Sequence, residues 1–497
     1  MRAEPRPWAV FGPPDRLPRA PLTRAEPLPR APFGTADELS CYYDAPAEPC
    51  NVHIEVRVSG HLGEAALAEQ PRALSRRARG GWWRRGYAWE VPRRPDLDPL
   101  SATTWADERE LALRRMQFLA DSPPLDRSPP VRLLLAAGPG EDSLILNAHH
   151  AALDGISCLE LLLSVARHYQ GAADPATDSA VLAADPAADS AVLAADPAVD
   201  SAPRAADLAA LAAPVPAGHS TTTVAPRPDG PGRPARARSL LPRPAARIAA
   251  EPVSARGRGP AGRSGYGFRL ITWERVPRAP RTGPGPHATV NDLLIAALIV
   301  AIGRWNAAHG RSRDQIRITM PVNARVPGQA GTAGKLSRLT AITARPTAHG
   351  GDLLPLIANV AAQTLAAKNR PGPQVEPLSQ ALAAAWCPAA LKHRLLRLAL
   401  RTAGPLICDS SLVSNLGIVA DPPRFGPAPA TQMWFSTSAH MPRGLSVGAI
   451  TLGGKLHLCL RYRHALFSEP AAARFADTYA AALRDITSLG VESDRQH

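Results

Sequence analysis

The sequence predicts an α/β protein of mixed β-sheets flanked by helices. Three observations carry this. Short β-type runs alternate with helical spacing in two blocks, about 33–170 and 263–488. Between them, at 171–262, the composition shifts to Pro, Ala, Gly and Arg. The 497 residues suit about two to four domains and a large core.

Residues 1–32 are rich in proline and arginine without an apolar run, so they read as an irregular arm and not a signal peptide. Thr35-Ala36-Asp37-Glu38 has capping-box form and starts a short helix. A first strand follows at 51–58, a helix near 62–77, a strand at 87–91 and helical spacing at 105–119. The apolar run Leu144-Ile145-Leu146 is a strand that ends on a pair of histidines, and 156–169 is a leucine-rich helix. In the linker, 171–262, DPA repeats at Asp174, Asp185 and Asp196 with a period of eleven. Proline in each unit and few large apolar residues predict a disordered or loosely ordered segment. Short pieces near 208–211 and 245–248 are its candidates for docking.

The second block opens with a strand at 267–273. Thr289 then stands three residues before Asp292, a capping box that launches a buried helix to about 308. Strands are expected at 316–320 and 339–343, helices at 353–368 and 376–401, and strands at 411–418, 431–436, 444–452 and 456–462. A helix at 470–489 closes the lobe, and 489–497 is a tail.

The stretch with chemistry in it is His149-His150-Ala151-Ala152-Leu153-Asp154-Gly155. Histidine titrates near neutrality, so it can take and return a proton at cellular pH. Neighbouring side chains on an extended segment point to opposite faces. Both imidazoles can aim at one atom only if the backbone turns. This argues against a metal site of His149, His150 and Asp154, and no metal is expected. The plainer reading of His150 is a core histidine satisfied by backbone.

The stretch resembles the HHxxxDG motif of the chloramphenicol-acetyltransferase-like superfamily. That group includes condensation domains of peptide synthetases, polyketide-associated acyltransferases, wax-ester synthases and plant BAHD acyltransferases. Further segments resemble the family in its order. Leu125 to Leu133 is similar to "DLSxxPPLR", Thr289-Val290-Asn291-Asp292 to "TVND", Met320-Pro321-Val322-Asn323-Ala324-Arg325 to "PVNxR", and Val413-Ser414-Asn415-Leu416-Gly417 to "SNxG". The plant-type "DFGWG" is not matched; Arg424-Phe425-Gly426 keeps only Phe-Gly. The likeness is to the bacterial polyketide-associated or peptide-synthetase condensation type.

The resemblance implies two lobes with the active site at their interface, in a tunnel. It implies that His150 is the general base of an acyltransferase or condensation enzyme, with a thioester of coenzyme A or phosphopantetheine as co-substrate, no bound cofactor, and an alcohol or amine as acceptor. The donor would be acyl-CoA or an acyl carrier protein, and the setting secondary metabolism or lipid biosynthesis. His149 is then structural. Asp154 supports the loop through an arginine, with Arg77 and Arg79 as candidates, and Gly155 permits close packing or positive φ. Ser414, Asn415 and Gly417 border the tunnel or form an ordinary core strand. Ser436 and Ser438 are candidate oxyanion donors. Asn147 is structural, and Arg443 lies in a loop as a solvated cation. One alternative is a catalytically silent scaffold that binds a carrier protein or synthetase. Another is a wax-ester or diacylglycerol acyltransferase, against which no membrane-seeking apolar patch is found.

The formal charge is +14, and the only lysines are Lys335, Lys368, Lys392 and Lys455. A GC-rich coding bias explains the arginines, or a basic surface for an acidic carrier protein or the phosphates of coenzyme A. No nucleic-acid module accompanies them, so nucleic acid is not an expected partner. Cys41, Cys50, Cys158, Cys387, Cys408 and Cys459 form no CxxC or zinc spacing and read as reduced thiols of a cytoplasmic protein. The longest apolar run, 293–302, is too short to span a bilayer. A monomer is expected.

Overall fold

The computed structural model describes residues 30–46, 48–65, 67, 77–80, 87–92, 94–173, 244–251, 265–280, 287–311, 315–323, 337–346, 353–369, 388–402 and 408–495. The first half runs β1 (Arg30–Pro32), α1 (Thr35–Tyr43), β2 (Asn51–Ser59), β3 (Arg77–Gly80), β4 (Tyr87–Glu90), β5 (Leu100–Thr104), α2 (Glu108–Phe118), β6 (Val131–Ala137), β7 (Glu141–His149) and α3 (Gly155–Ala173). The second runs β8 (Tyr266–Trp273), α4 (Val290–Ala308), β9 (Ile316–Asn323), β10 (Ser337–Ala344), α5 (Leu353–Asn369), α6 (Ala389–Thr402), β11 (Ser411–Val419), β12 (Arg424–Phe425), β13 (Ala428–Thr437), β14 (Leu445–Leu452), β15 (Lys455–Arg463) and α7 (Glu469–Arg495).

The strands form two six-stranded mixed sheets and a three-stranded one, β1-β4-β3. The C-terminal sheet has the order β10-β9-β11-β14-β15-β8, with β11 parallel to both its neighbours. The N-terminal sheet has the order β12-β13-β2-β7-β6-β5. Its β12 and β13 therefore come from the second block, and β13 lies antiparallel on β2 from Ala430↔Val58 to Thr437↔Val52. The expected boundary at 263–488 is corrected here: residues 424–437 belong to the first lobe's sheet. Their large apolar residues, Phe425, Met433 and Phe435, fill that lobe's core beside Val52, Ile54 and Leu159. The two sheets touch where β13 passes β14. There a Cβ on Gly448 would lie 1.9 Å from the Phe435 carbonyl oxygen, so only glycine allows the approach.

β2 is apolar at Val52, Ile54, Val56 and Val58 and polar at His53, Glu55 and Arg57, the period of a strand with one wet face. Both faces are buried. On the polar face Glu55 accepts from Arg115 Nη2 at 2.7 Å and Ser143 Oγ at 3.0 Å, and also pairs with Arg115 Nε. Burial alone would raise the Glu55 carboxyl, but Arg115 and His53 hold it well below the usual range.

Several boundaries differ from expectation. Within the supposed arm, Arg30–Pro32 pairs with β4. The capping box of α1 is displaced by one residue: Gly34 is the N-cap, and its N–H donates to Asp37 Oδ2 at 3.1 Å. α3 continues to Ala173 and α7 to Arg495, inside the ranges assigned to linker and tail. The piece 244–251 docks on the second lobe: Ala246, Ile248 and Ala249 join its core, and Trp305 Nε1 donates to the Ala249 carbonyl at 3.0 Å. Residues 174–243 and 252–264, with all the DPA units, lie outside the described residues, as do Arg325, most of the helix expected near 62–77 and the 376–387 part of the helix expected at 376–401.

α4 is the core helix of the second lobe. Asp292 Oδ2 accepts from the Thr289 N–H at 2.7 Å and from its hydroxyl at 2.9 Å, as the sequence predicts. Among the described residues it is the one helix long and apolar enough to cross a membrane, and Leu293 to Ile302 are all buried in the core. α6 corrects the expectation of no exposed apolar patch. Leu391, Leu395 and Leu398 are 47%, 43% and 57% exposed, on one helix face at i, i+4 and i+7.

Candidate active site

β7 brings the histidine pair to the end of the N-terminal sheet. Asn51 pairs with His149 on one side, and the Thr437↔Val52 register sets the end of β13 on the other side of β2. The His150 N–H donates to the Cys50 carbonyl at 2.8 Å. Chain reversal then separates the two imidazoles. His149 is 2% exposed; its Nδ1 accepts from the Ala151 N–H at 3.0 Å, so Nε2 carries the hydrogen and faces Asp44 Oδ2 at 3.6 Å. His150 lies in the turn, half-buried, with Nδ1 3.1 Å from the Leu153 carbonyl oxygen. A carbonyl can only accept, so Nδ1 is the donor and the lone pair of the neutral ring is on Nε2.

Asp44, absent from the sequence reading, ties this end together. Its Oδ1 accepts from the Cys50 N–H at 2.8 Å and from Ser122 Oγ at 2.6 Å. Burial would raise its carboxyl, but His149, the Cys50 N–H and the Ser122 hydroxyl outweigh this and hold it at about 2.

Asp154 caps α3: Oδ1 accepts from the Ser157 N–H at 2.9 Å. The side chains of its arginine candidates, Arg77 and Arg79, lie outside the described residues. Gly155 is a close-approach glycine. A Cβ there would stand 2.8 Å from both Leu416 Cδ2 and Phe435 Cε2, and its φ is not positive. β11 thus reaches the motif through Leu416. Its SNxG segment forms a bulge against β14: Asn415 Oδ1 accepts from the Gly417 N–H at 2.9 Å, and Gly417 has φ 88°. Ser414 is buried.

Ser436, the first oxyanion candidate, lies on β13. It is fully buried, with its hydroxyl 3.0 Å from His53 Nδ1. Ser438 is at the motif's end of the sheet: its Oγ lies 3.2 Å from His440 Nε2 and 3.8 Å from Cys50 Sγ. Asn147 is structural as expected; its Nδ2 donates to the Phe118 carbonyl at 2.9 Å and its Oδ1 accepts from Asn51. Arg443 is not a free solvated cation. It is half-buried and donates to Thr319 Oγ1 across to β9 at 2.9 Å.

Sequence reasoning named β15 as a strand but passed over its polar face. Leu456, Leu458, Leu460 and Tyr462 enter the core, and the alternate residues His457, Cys459, Arg461 and Arg463 face the other lobe. Arg461 is fully buried and donates to Asn51 Oδ1 at 2.6 Å and to the Asn51 carbonyl at 3.2 Å. It lies 4.0 Å from the Tyr266 ring centroid. The signal was the period of two in this strand, which gave an otherwise apolar segment one basic face.

No protein-family model matches the chain. It is 31% identical over 467 residues to the uncharacterized protein Rv2305 of Mycobacterium tuberculosis H37Rv, covering 89% of this chain and 96% of that one. Among solved structures, the first condensation domain of the calcium-dependent antibiotic synthetase superposes with TM-score 0.54 at 14% identity, over 92% of this chain and 97% of that one. A variant of the starter condensation domain of rhizomide synthetase, in complex with C8-CoA, gives 0.53 at 13%, over 92% and 94%. The wax ester synthase/diacylglycerol acyltransferase of Marinobacter aquaeolei VT8 gives 0.51 at 13%, over 93% and 100%. At these identities the likeness is one of fold.

Proposed function

We propose that this chain, which shares its fold with condensation domains and a wax ester synthase/diacylglycerol acyltransferase, is an acyltransferase that moves an acyl group from a thioester to an alcohol or amine. The observation that carries the reading is the tautomer of His150: the Leu153 carbonyl holds Nδ1–H, so Nε2 is the base. Nε2 takes the proton as the acceptor oxygen or nitrogen attacks the thioester carbonyl. The new C–O or C–N bond forms, the C–S bond breaks, and the imidazolium returns the proton to the departing thiolate. No covalent intermediate on the protein is required. The donor is a thioester of coenzyme A or of a carrier protein; the C8-CoA complex of the rhizomide synthetase domain supports a coenzyme A donor as the first to try. A silent scaffold is the weaker reading, because it has no need of an imidazole oriented in this way.

The test is a mass-spectrometric screen of purified protein with acyl thioesters and acceptors. His150→Ala should keep the fold and lose about 10²–10⁴ in rate, the usual share of a positioned general base. Activity within a few-fold of the parent removes His150 from this role. A second reading, a lipid-ester synthase, is favoured by the exposed leucines of α6; long-chain alcohol or diacylglycerol acceptors in the same screen address it.

A further inference from the structure

Arg461 has no solvent exposure, and among the described residues no carboxylate pairs with it. No carboxylate among them pairs with the half-buried Arg443 either, whose head donates to a threonine hydroxyl. A buried cation without an anion is costly, and such groups are normally paired. Arg463 joins them on the same face of β15; Glu48 Oε1 lies 3.4 Å from its Nε. Arg461 and Arg463 lie 4.0 and 5.0 Å from the Tyr266 ring centroid, and the Arg463 N–H donates to the carbonyl of Gly444, next to Arg443. Burial first, then Arg461, Arg443 and Arg463, push the His440 imidazole down to about 3, so it is neutral and does not add to the repulsion. Polar atoms here also lack partners: Tyr266 Oη, His440 Nδ1, Arg443 Nε and Arg461 Nε. Unsatisfied buried groups in a native fold call for a reason, and a missing ligand is one. His440 and Arg443 are half-buried, whereas Arg461 and Tyr266 are buried.

The cluster is next to the histidine. Arg461 bonds to Asn51, and Cys50, one residue before it, accepts from the His150 N–H. His150 and the segment leading to His440 flank β2 on opposite sides, about 10 Å apart at two strand spacings. From this geometry we infer that the acceptor carries a carboxylate or phosphate, which seats between His440 and Arg443 over Arg461 while its hydroxyl or amine meets His150. This rests on the acyl-transfer reading above. The phosphates of a coenzyme A or carrier-bound donor stand at the far end of the pantetheine arm from the thioester, so an anion this near the base belongs to the acceptor.

Two experiments separate the inference from the reading it rests on. In the first, inorganic phosphate is titrated calorimetrically into the full-length protein and into His150→Ala, which cannot turn over. Both should bind it, Arg443→Gln should lose at least tenfold in affinity, and Arg443→Lys should recover part of that; circular dichroism checks that each variant is folded. No binding by the parent overturns the inference whether or not the protein transfers acyl groups. In the second, hydroxy acids are compared as acceptors with their methyl esters. The parent should favour the acid, and Arg443→Gln should lower the acid-to-ester ratio of kcat/KM by roughly tenfold or more, the scale of a charge-assisted hydrogen bond. A parent that prefers the ester, or an unchanged ratio, overturns the inference. So does an Arg443→Gln effect seen with acyl-CoA donors and absent with N-acetylcysteamine thioesters, which would assign the site to the donor's phosphates.

Discussion

One methyl group at Gly155 tests how the motif loop is held. Gly155 is the first residue of α3, and in an open helix Gly→Ala gains about 0.5–1 kcal/mol. Here the new Cβ would stand 2.8 Å from Leu416 Cδ2, 2.8 Å from Phe435 Cε2 and 2.9 Å from Phe435 Cζ, well inside the roughly 3.5–4.0 Å optimum for carbon pairs. Leu416 can swing its terminal methyl aside. Phe435 has little room, since it is 2% exposed and its own carbonyl lies against Gly448. Overpacking of this kind costs about 1–3 kcal/mol, so Gly155→Ala should lose about 1–2 kcal/mol net. The assay is the urea midpoint at unchanged m-value. Leu416→Ala removes one of the two obstacles, so the double variant should show a favourable coupling of at least about 0.5 kcal/mol. A Gly155→Ala protein as stable as its parent, or a coupling of zero, refutes the argument that close approach explains this glycine.

Other expectations follow from the same geometry. Glu55→Gln leaves the buried Arg115 without its charge partner and should cost about 3–5 kcal/mol in chemical denaturation; a loss below about 1 kcal/mol means that the pair relaxes or is hydrated. Asp154→Ala removes the cap of α3 and should cost about 1 kcal/mol, which an unchanged melting temperature contradicts. Asp44 is held at about 2, below its unfolded value near 3.9. Its contribution is therefore fully present above the unfolded value and is lost as pH falls towards about 2. Asp44→Asn should be less stable than the parent by about 1–2 kcal/mol at pH 7, with the gap closing below about pH 4; a gap independent of pH would show that the carboxylate's charge is not what stabilises.

The sequence by itself determined the local elements and the motif. β2, β7, α4, β14 and β15 are legible because apolar period, capping box and turn residues act within a few positions of each other. Thr289 with Asp292, and the histidine pair at a strand end, are of this kind. Only the tertiary structure decided which strand joins which sheet. β13 reads as one more strand of the second block, yet it completes the first lobe, because pairing partners are set by long-range burial that no local period records. The same reason hid the polar partners. His53, Glu55 and Arg57 look like a wet face until α2 and the second lobe cover them, and Arg461 looks like an ordinary strand arginine until β15 lies against Asn51. The tautomer of His150 was equally out of reach. It depends on where the turn sets the Leu153 carbonyl, a matter of backbone geometry that the spelling of the motif does not contain.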